Sequence, residues 1–119
     1  MLIFGLDLSG PRNTAETVLI CFNVENATLN FVALHEGASD LDIYEVTRDA
    51  STRDQVIIGM DAPLSYNPGG GDRPGDTELR TRIIEAGLHS GAVMPPTLTR
   101  MVYLTLRGVV IARSLRNIC

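Results

Sequence analysis

Residues 57–72 read IIGMDAPLSYNPGGGD: an apolar run that ends on a charge, Asp61, and gives way to a loop of proline and glycine. The start of the chain does the same, with IFGLD at residues 3–7 and Asp7 in the matching place. Aligned on the aspartates, both read Ile, any residue, Gly, apolar, Asp. Short continuous apolar runs of this kind are the pattern of strands in the middle of a sheet. The segments around them decide how the two strands pair.

After Asp7, the run Ser9-Gly10-Pro11-Arg12-Asn13 is turn chemistry. Residues 15–24 (AETVLICFNV) read as a second strand, rich in β-branched side chains. Glu25-Asn26-Ala27 makes a tight turn, and residues 28–35 set Leu29, Phe31 and Ala33 against Asn30 and Val32, the period of a half-buried strand. Short connections predict an antiparallel meander. Ser39 or Asp40 can then cap a helix to about Ala50. Residues 55–60 (QVIIGM) follow that helix, so they are expected to lie parallel to the first strand through a crossover. The segment 62–76 holds three prolines and four glycines, which exclude regular structure. Asp76 is expected to cap a helix with Leu79, Ile83, Ile84 and Leu88 on one face. Thr97 is expected to cap the last helix, whose stripe is Leu98, Met101, Val102, Thr105, Val109 and Ala112. Apolar residues off that stripe, at Leu104, Leu106, Val110 and Ile111, predict burial on more than one side. The predicted class is α/β, in the order β-β-β-α-β-α-α.

The chain has 119 residues, enough for one domain and too few for a second core. Apolar residues make up 45% and charged residues 20%, a globular balance. No apolar run approaches the roughly 18–20 residues that span a bilayer, so no membrane role is expected. The N-terminus lacks the basic segment of a secretory signal, and the first strand is expected to belong to the fold. Cys21 lies in the apolar run TVLICF and reads as a reduced core thiol rather than half of a disulfide with Cys119; a cytoplasmic setting follows. The net charge is −4, and all ten basic residues are arginine. That weighs against a high-affinity nucleic-acid binder with a basic surface, while leaving room for a local arginine patch.

If the first and fourth strands are neighbours, Asp7 and Asp61 emerge at one end of the sheet. Two like charges there repel, and protonation, an arginine partner or a cation must relieve them. Mg²⁺ or Mn²⁺ held by two carboxylates plus waters is one solution. Two such ions could clamp both oxygens of a phosphodiester displacement. Each aspartate alone fits a plainer role, accepting backbone N–H bonds in its loop. The loop GGGDRPGD could expose N–H groups to a phosphate and act as a flap, with Arg73 supplying a contact. The phosphate-binding loop of nucleotide hydrolases needs a lysine, and this chain has none. Ser9 and Ser65 follow the two aspartates and complete the candidate substrate-binding set with Arg73, although turn hydrogen bonds suit both serines. Arg100 and Arg107 lie one heptad apart, open either to substrate or to solvent and salt bridges. His35 and His89 form no zinc spacing with the cysteines.

Taken together, Gly5-Leu6-Asp7-Leu8-Ser9-Gly10-Pro11, Asn13-Thr14-Ala15, Gly59-Met60-Asp61-Ala62-Pro63-Leu64-Ser65, Pro68-Gly69-Gly70-Gly71-Asp72-Arg73-Pro74 and Met94-Pro95-Pro96-Thr97 resemble a family of uncharacterised proteins identified as predicted nucleases with a ribonuclease H-like fold. The resemblance covers nearly the whole chain. It implies a three-stranded meander, a helix and a parallel strand, with metal-ligating acids on the first and fourth strands. By motif match those are Asp7 and Asp61. Members of the family continue into a fifth strand and another helix that supply a further acid. The resemblance therefore implies a single ribonuclease H-like domain over residues 1–119, incomplete at its C-terminus. Within the chain, Asp40, Asp42, Glu45 and Asp72 are the candidates for a third acid.

Without a fifth strand, QVIIGM would form an open apolar edge, which predicts a homodimer that covers it through Val56–Met60 or the last helix. The first functional expectation is a metal-dependent nuclease or phosphodiesterase that uses Mg²⁺ or Mn²⁺. The second is a non-catalytic nucleotide- or phosphate-binding module, with DLSG at residues 7–10 approaching a phosphate. The third is a structural or interaction domain with an incomplete site.

Overall fold

The computed structural model describes residues 1–118. Its four strands, β1 (Leu2–Asp7), β2 (Val18–Glu25), β3 (Thr28–Glu36) and β4 (Val56–Asp61), form one mixed sheet in the order β3-β2-β1-β4. Three helices accompany it: α1 (Asp40–Ser51), α2 (Pro74–Glu85) and α3 (Val102–Leu115), with single 3-10 turns at Thr14–Glu16 and Ser90–Ala92. The meander β1-β2-β3 is antiparallel, and β4 returns through α1 to lie parallel to β1. The expected mixed α/β order is present.

Side chains alternate across a strand, and the sheet uses its two faces differently. Phe4 and Leu6 of β1, and Leu19 and Cys21 of β2, point to the covered face. There they pack with Ile43 and Ala50 of α1 and Ile111 and Leu115 of α3. Cys21 is a free buried thiol, and burial pushes its pKa up. The Cys119 half of the cysteine expectation lies outside the described residues.

Several boundaries differ from expectation for local reasons. Residues 14–16 coil into a 3-10 turn, so β2 starts at Val18. Strand β3 is not half-buried: only Ala33 among its residues is sheltered, because β3 is an edge strand. Its alternation also breaks at a bulge. The partner of Cys21 is Ala33 and that of Phe22 is Phe31, which leaves Val32 as an extra residue. Leu29 and Phe31 therefore face away from Ala33. Helix α1 begins as expected, with Ser39 accepting from the Asp42 N–H and Asp42 reaching back to the Ser39 N–H.

Asp76 is not the residue before α2 but its third, and it accepts from the Arg73 N–H. The face expected to bury Leu79, Ile84 and Leu88 stays exposed. Thr97 does not cap α3. Turns occupy residues 97–101, the helix starts at Val102, and the Thr97 hydroxyl instead accepts from the Gly71 N–H at 2.7 Å. The buried side of α3 runs through Thr105, Gly108, Ile111 and Leu115, while Leu106 and Val110 are more than half exposed. Burial on several sides is thus overturned: α3 lies on one face of the sheet and has solvent behind it.

Candidate functional site

The parallel pairing of β1 and β4 sets residue against residue: Ile3 opposite Ile57, Gly5 opposite Gly59, Asp7 opposite Asp61. The two matched motifs are therefore physical neighbours, and their carboxylates leave the sheet side by side. Both aspartates line one open cavity of about 830 Å³, with Arg73 and Asp76 from the loop and α2, and Met101 and Leu104 from the start of α3.

Helix α3 fixes the segment after Asp61 by close contact. A Cβ at Gly108 would lie 2.9 Å from the Ala62 Cβ and 3.0 Å from the Pro63 carbonyl oxygen. Only glycine allows the helix to press this closely on the chain that leaves Asp61.

The segment after Asp7 is held by a buried arginine. Arg107 Nη1 donates to the Ser9 carbonyl at 2.7 Å and to the Thr17 hydroxyl at 2.8 Å, and Nε donates to Asp40 at 2.7 Å. Its Nη2 also sits 2.6 Å from the same Asp40 oxygen, a charge contact without hydrogen-bond alignment. Ser9 is engaged throughout: its hydroxyl donates to the Asn13 carbonyl at 2.6 Å and lies 2.7 Å from the Thr17 hydroxyl. Arg107 thus joins α3 to the Asp7 loop and to the first residue of α1.

Arg73 and Ser65 are brought together on the other side. Arg73 grips Asp76 with two bonds, Nε to Oδ2 at 2.8 Å and Nη2 to Oδ1 at 2.6 Å. Its third nitrogen, Nη1, donates to the Ser65 hydroxyl at 3.1 Å. These arginine bonds hold the Asp76 carboxyl below the usual carboxylate range. Asp72 is paired with Arg80, whose Nη2 also donates to the Val93 carbonyl at 2.9 Å, and its pKa is lowered by the Arg80 hydrogen bonds. The glycine-rich loop is therefore pinned to α2 at Arg73 and Arg80.

Of the candidate third acids, Asp40 is held by Arg107, Asp42 by Ser39 and Asp72 by Arg80, and Glu45 is exposed on α1. None of the four lines the cavity with Asp7 and Asp61. Asp76 does, and sequence reading took it only for a helix cap; its place three residues after Arg73 was the available signal. Among the described residues, no three His, Cys, Asp or Glu side chains gather closely enough to hold a metal ion together. His35 lines a different cavity, with Val46 and Asp49 of α1, and His89 accepts from the Gly91 N–H at 3.0 Å. Among the described residues no helix is long and apolar enough to cross a membrane.

No curated protein and no solved structure matches the chain. A family model described as "Protein of unknown function (DUF429)" matches residues 5–115, a span that takes in both Asp7 and Asp61, the glycine loop and all three helices, and the chain belongs to that family.

Proposed function

We propose that this protein is a metal-dependent phosphodiesterase of the nuclease kind, built on a ribonuclease H-like sheet. The observation that supports it most is the register: Asp7 and Asp61 stand directly opposite each other on parallel strands and line one cavity. The donor set fits a hard cation. Two carboxylates without histidine or cysteine suit Mg²⁺ or Mn²⁺, which accept one or two carboxylates and keep several waters, and do not suit zinc. Asp7 and Asp61 would hold the ion; Asp76 has both oxygens on Arg73 and stays a neighbour. A bound cation supplies charge neutralisation at a phosphodiester and lowers the pKa of water.

Titration with Mn²⁺, followed by calorimetry, tests the reading. Saturable binding is expected in the natural chain and lost in both Asp7→Asn and Asp61→Asn. A natural chain that binds no Mn²⁺ overturns it.

A second reading, a nucleotide- or phosphate-binding module without turnover, draws support from the fact that, among the described residues, no third His, Cys, Asp or Glu gathers with Asp7 and Asp61 as a ligand set. Cleavage of an oligonucleotide that requires Mn²⁺ decides for the first reading, and nucleotide binding without cleavage for the second.

A homodimer through Val56–Met60 belongs to the same proposal. β4 is an edge strand, and its Ile57 is 47% exposed. Edges of this kind template pairing with another chain. Solution scattering that gives a monomer at high concentration removes this part.

A further inference from the structure

A second cavity, of about 400 Å³, adjoins the first. It is lined by Arg12 and Asn13 from the turn after β1, by Arg100 from the turn before α3, and by Tyr103 and Leu104 from the first turn of α3. Leu104 lines both cavities, so the two are separated by one side chain and by the segment that follows Asp7. Five of the ten arginines, at positions 53, 73, 80, 82 and 107, are bound to carboxylates. Arg12 and Arg100 are not, among the described residues, and no carboxylate lines their cavity. In a chain of net charge −4 this is a local reversal of sign. The first turn of α3 adds no acid to offset it. Tyr103 lines the same cavity as the two arginines, with 64% of its surface in solvent.

We propose that Arg12, Arg100 and Tyr103 form a binding subsite for a phosphate ester that carries a planar base, and that its ligand is a single strand of nucleic acid. Two unpaired guanidinium groups match phosphate oxygens, which arginine recognises through its fork of N–H donors. An exposed aromatic ring beside a cationic groove is the stacking platform of single-strand binders, and it serves any base because every base has a π face. The order of features along the surface fits a strand that passes from this subsite, over Leu104, to the acid pair. A duplex keeps its bases stacked inside and cannot use Tyr103. The inference takes its direction toward Asp7 and Asp61 from the phosphodiesterase reading, but the subsite needs no metal to bind.

The test is fluorescence anisotropy with a labelled oligothymidylate in EDTA over a range of salt concentrations. The natural chain is expected to bind. The double variant Arg12→Gln, Arg100→Gln is expected to weaken binding about tenfold or more, and to flatten the salt dependence by about 0.7 in log–log slope for each phosphate no longer neutralised. Tyr103→Ala is expected to cost about fivefold or more, the lower end of one base stacked on an aromatic ring. The three side chains are exposed, so unchanged circular dichroism should accompany all of these variants. A matching duplex should bind more weakly and ignore Tyr103→Ala. Failure of the natural chain to bind, or variants that bind as the natural chain does, overturns the subsite. Thymidine monophosphate bound as tightly as the oligomer overturns the assignment to a strand. Asp61→Asn, expected to keep strand binding in EDTA while losing Mn²⁺ binding, separates the two proposals. Retained strand binding with no Mn²⁺ binding by the natural chain sinks the phosphodiesterase reading alone, and Mn²⁺-dependent cleavage unaffected by the arginine variants sinks the subsite alone.

Discussion

The two faces of this sheet are made of the same strands and do opposite work. On one face Phe4, Leu6, Leu19 and Cys21 are buried beneath α1 and α3. On the other, Ile57 and Leu34 are about half exposed and Phe31 more so, and Phe22 and Phe31 pack edge-to-face with each other at 6.3 Å rather than against a helix. The acids stand on this second face, at the end of the series Ile3, Gly5, Asp7 and its neighbour Ile57, Gly59, Asp61. Alternation lets each strand give one set of residues to cohesion and the next set to a surface. A single residue of register slip would exchange the two sets and bury the carboxylates.

The sharpest way to break the contrast is to cut one large side chain from each face. Phe4→Ala should destabilise the protein by about 3–5 kcal/mol in urea unfolding, the usual range for a buried aromatic. A loss below about 1 kcal/mol would mean that the covered face is not the core. Next in size is Gly108→Val, which forces α3 away from Ala62 and Pro63. It should cost about 1–3 kcal/mol by overpacking and also weaken Mn²⁺ binding, since the displaced segment begins at Asp61. Reduced stability with Mn²⁺ affinity unchanged would show that the helix supports the sheet without setting the site.

Acid comes third. Asp76 and Asp72 have pKa values lowered by their arginines. Their folded values therefore lie below the unfolded value of about 3.9, and their contribution is fully present above that value and lost as pH falls through the lowered one. The glycine loop and α2 should resist proteolysis equally at pH 7 and pH 5 and loosen only below about pH 4. In Arg73→Gln the loosening should begin at higher pH. The smallest effect belongs to the open face: Phe31→Thr should cost only about 0.5–1.5 kcal/mol, the range of the edge-to-face pair it makes with Phe22. A larger loss would show that something covers that face in solution.

Much of this arrangement was legible in the sequence. The apolar runs gave the strands, the helix before QVIIGM gave the parallel return, and the matched Ile-x-Gly-apolar-Asp segments gave the acid pair. What was hidden depends on how remote residues meet. Val32 reads as an ordinary alternating position, and only the pairing of β3 with β2 makes it a bulge. Arg107 resembles any arginine on a helix surface, yet it is buried because Ser9, Thr17 and Asp40 converge on it. Asp76 carried a cap-like signature that concealed its cavity position. The expected stripe on α3 shares Thr105 with the buried line but is offset from it at Gly108, Ile111 and Leu115, because apolar residues lie all around the helix and composition could not say which side meets the sheet.

The route by which β4 reaches β1 has a consequence for how the protein assembles. The meander joins segments close in sequence, whereas the pairing of β4 with β1 closes a far longer loop that includes β2, β3 and α1. Until that loop closes the two aspartates belong to separate parts of an unfinished chain. A cation held jointly by them would therefore count only completed molecules, and would favour them over every partly folded one.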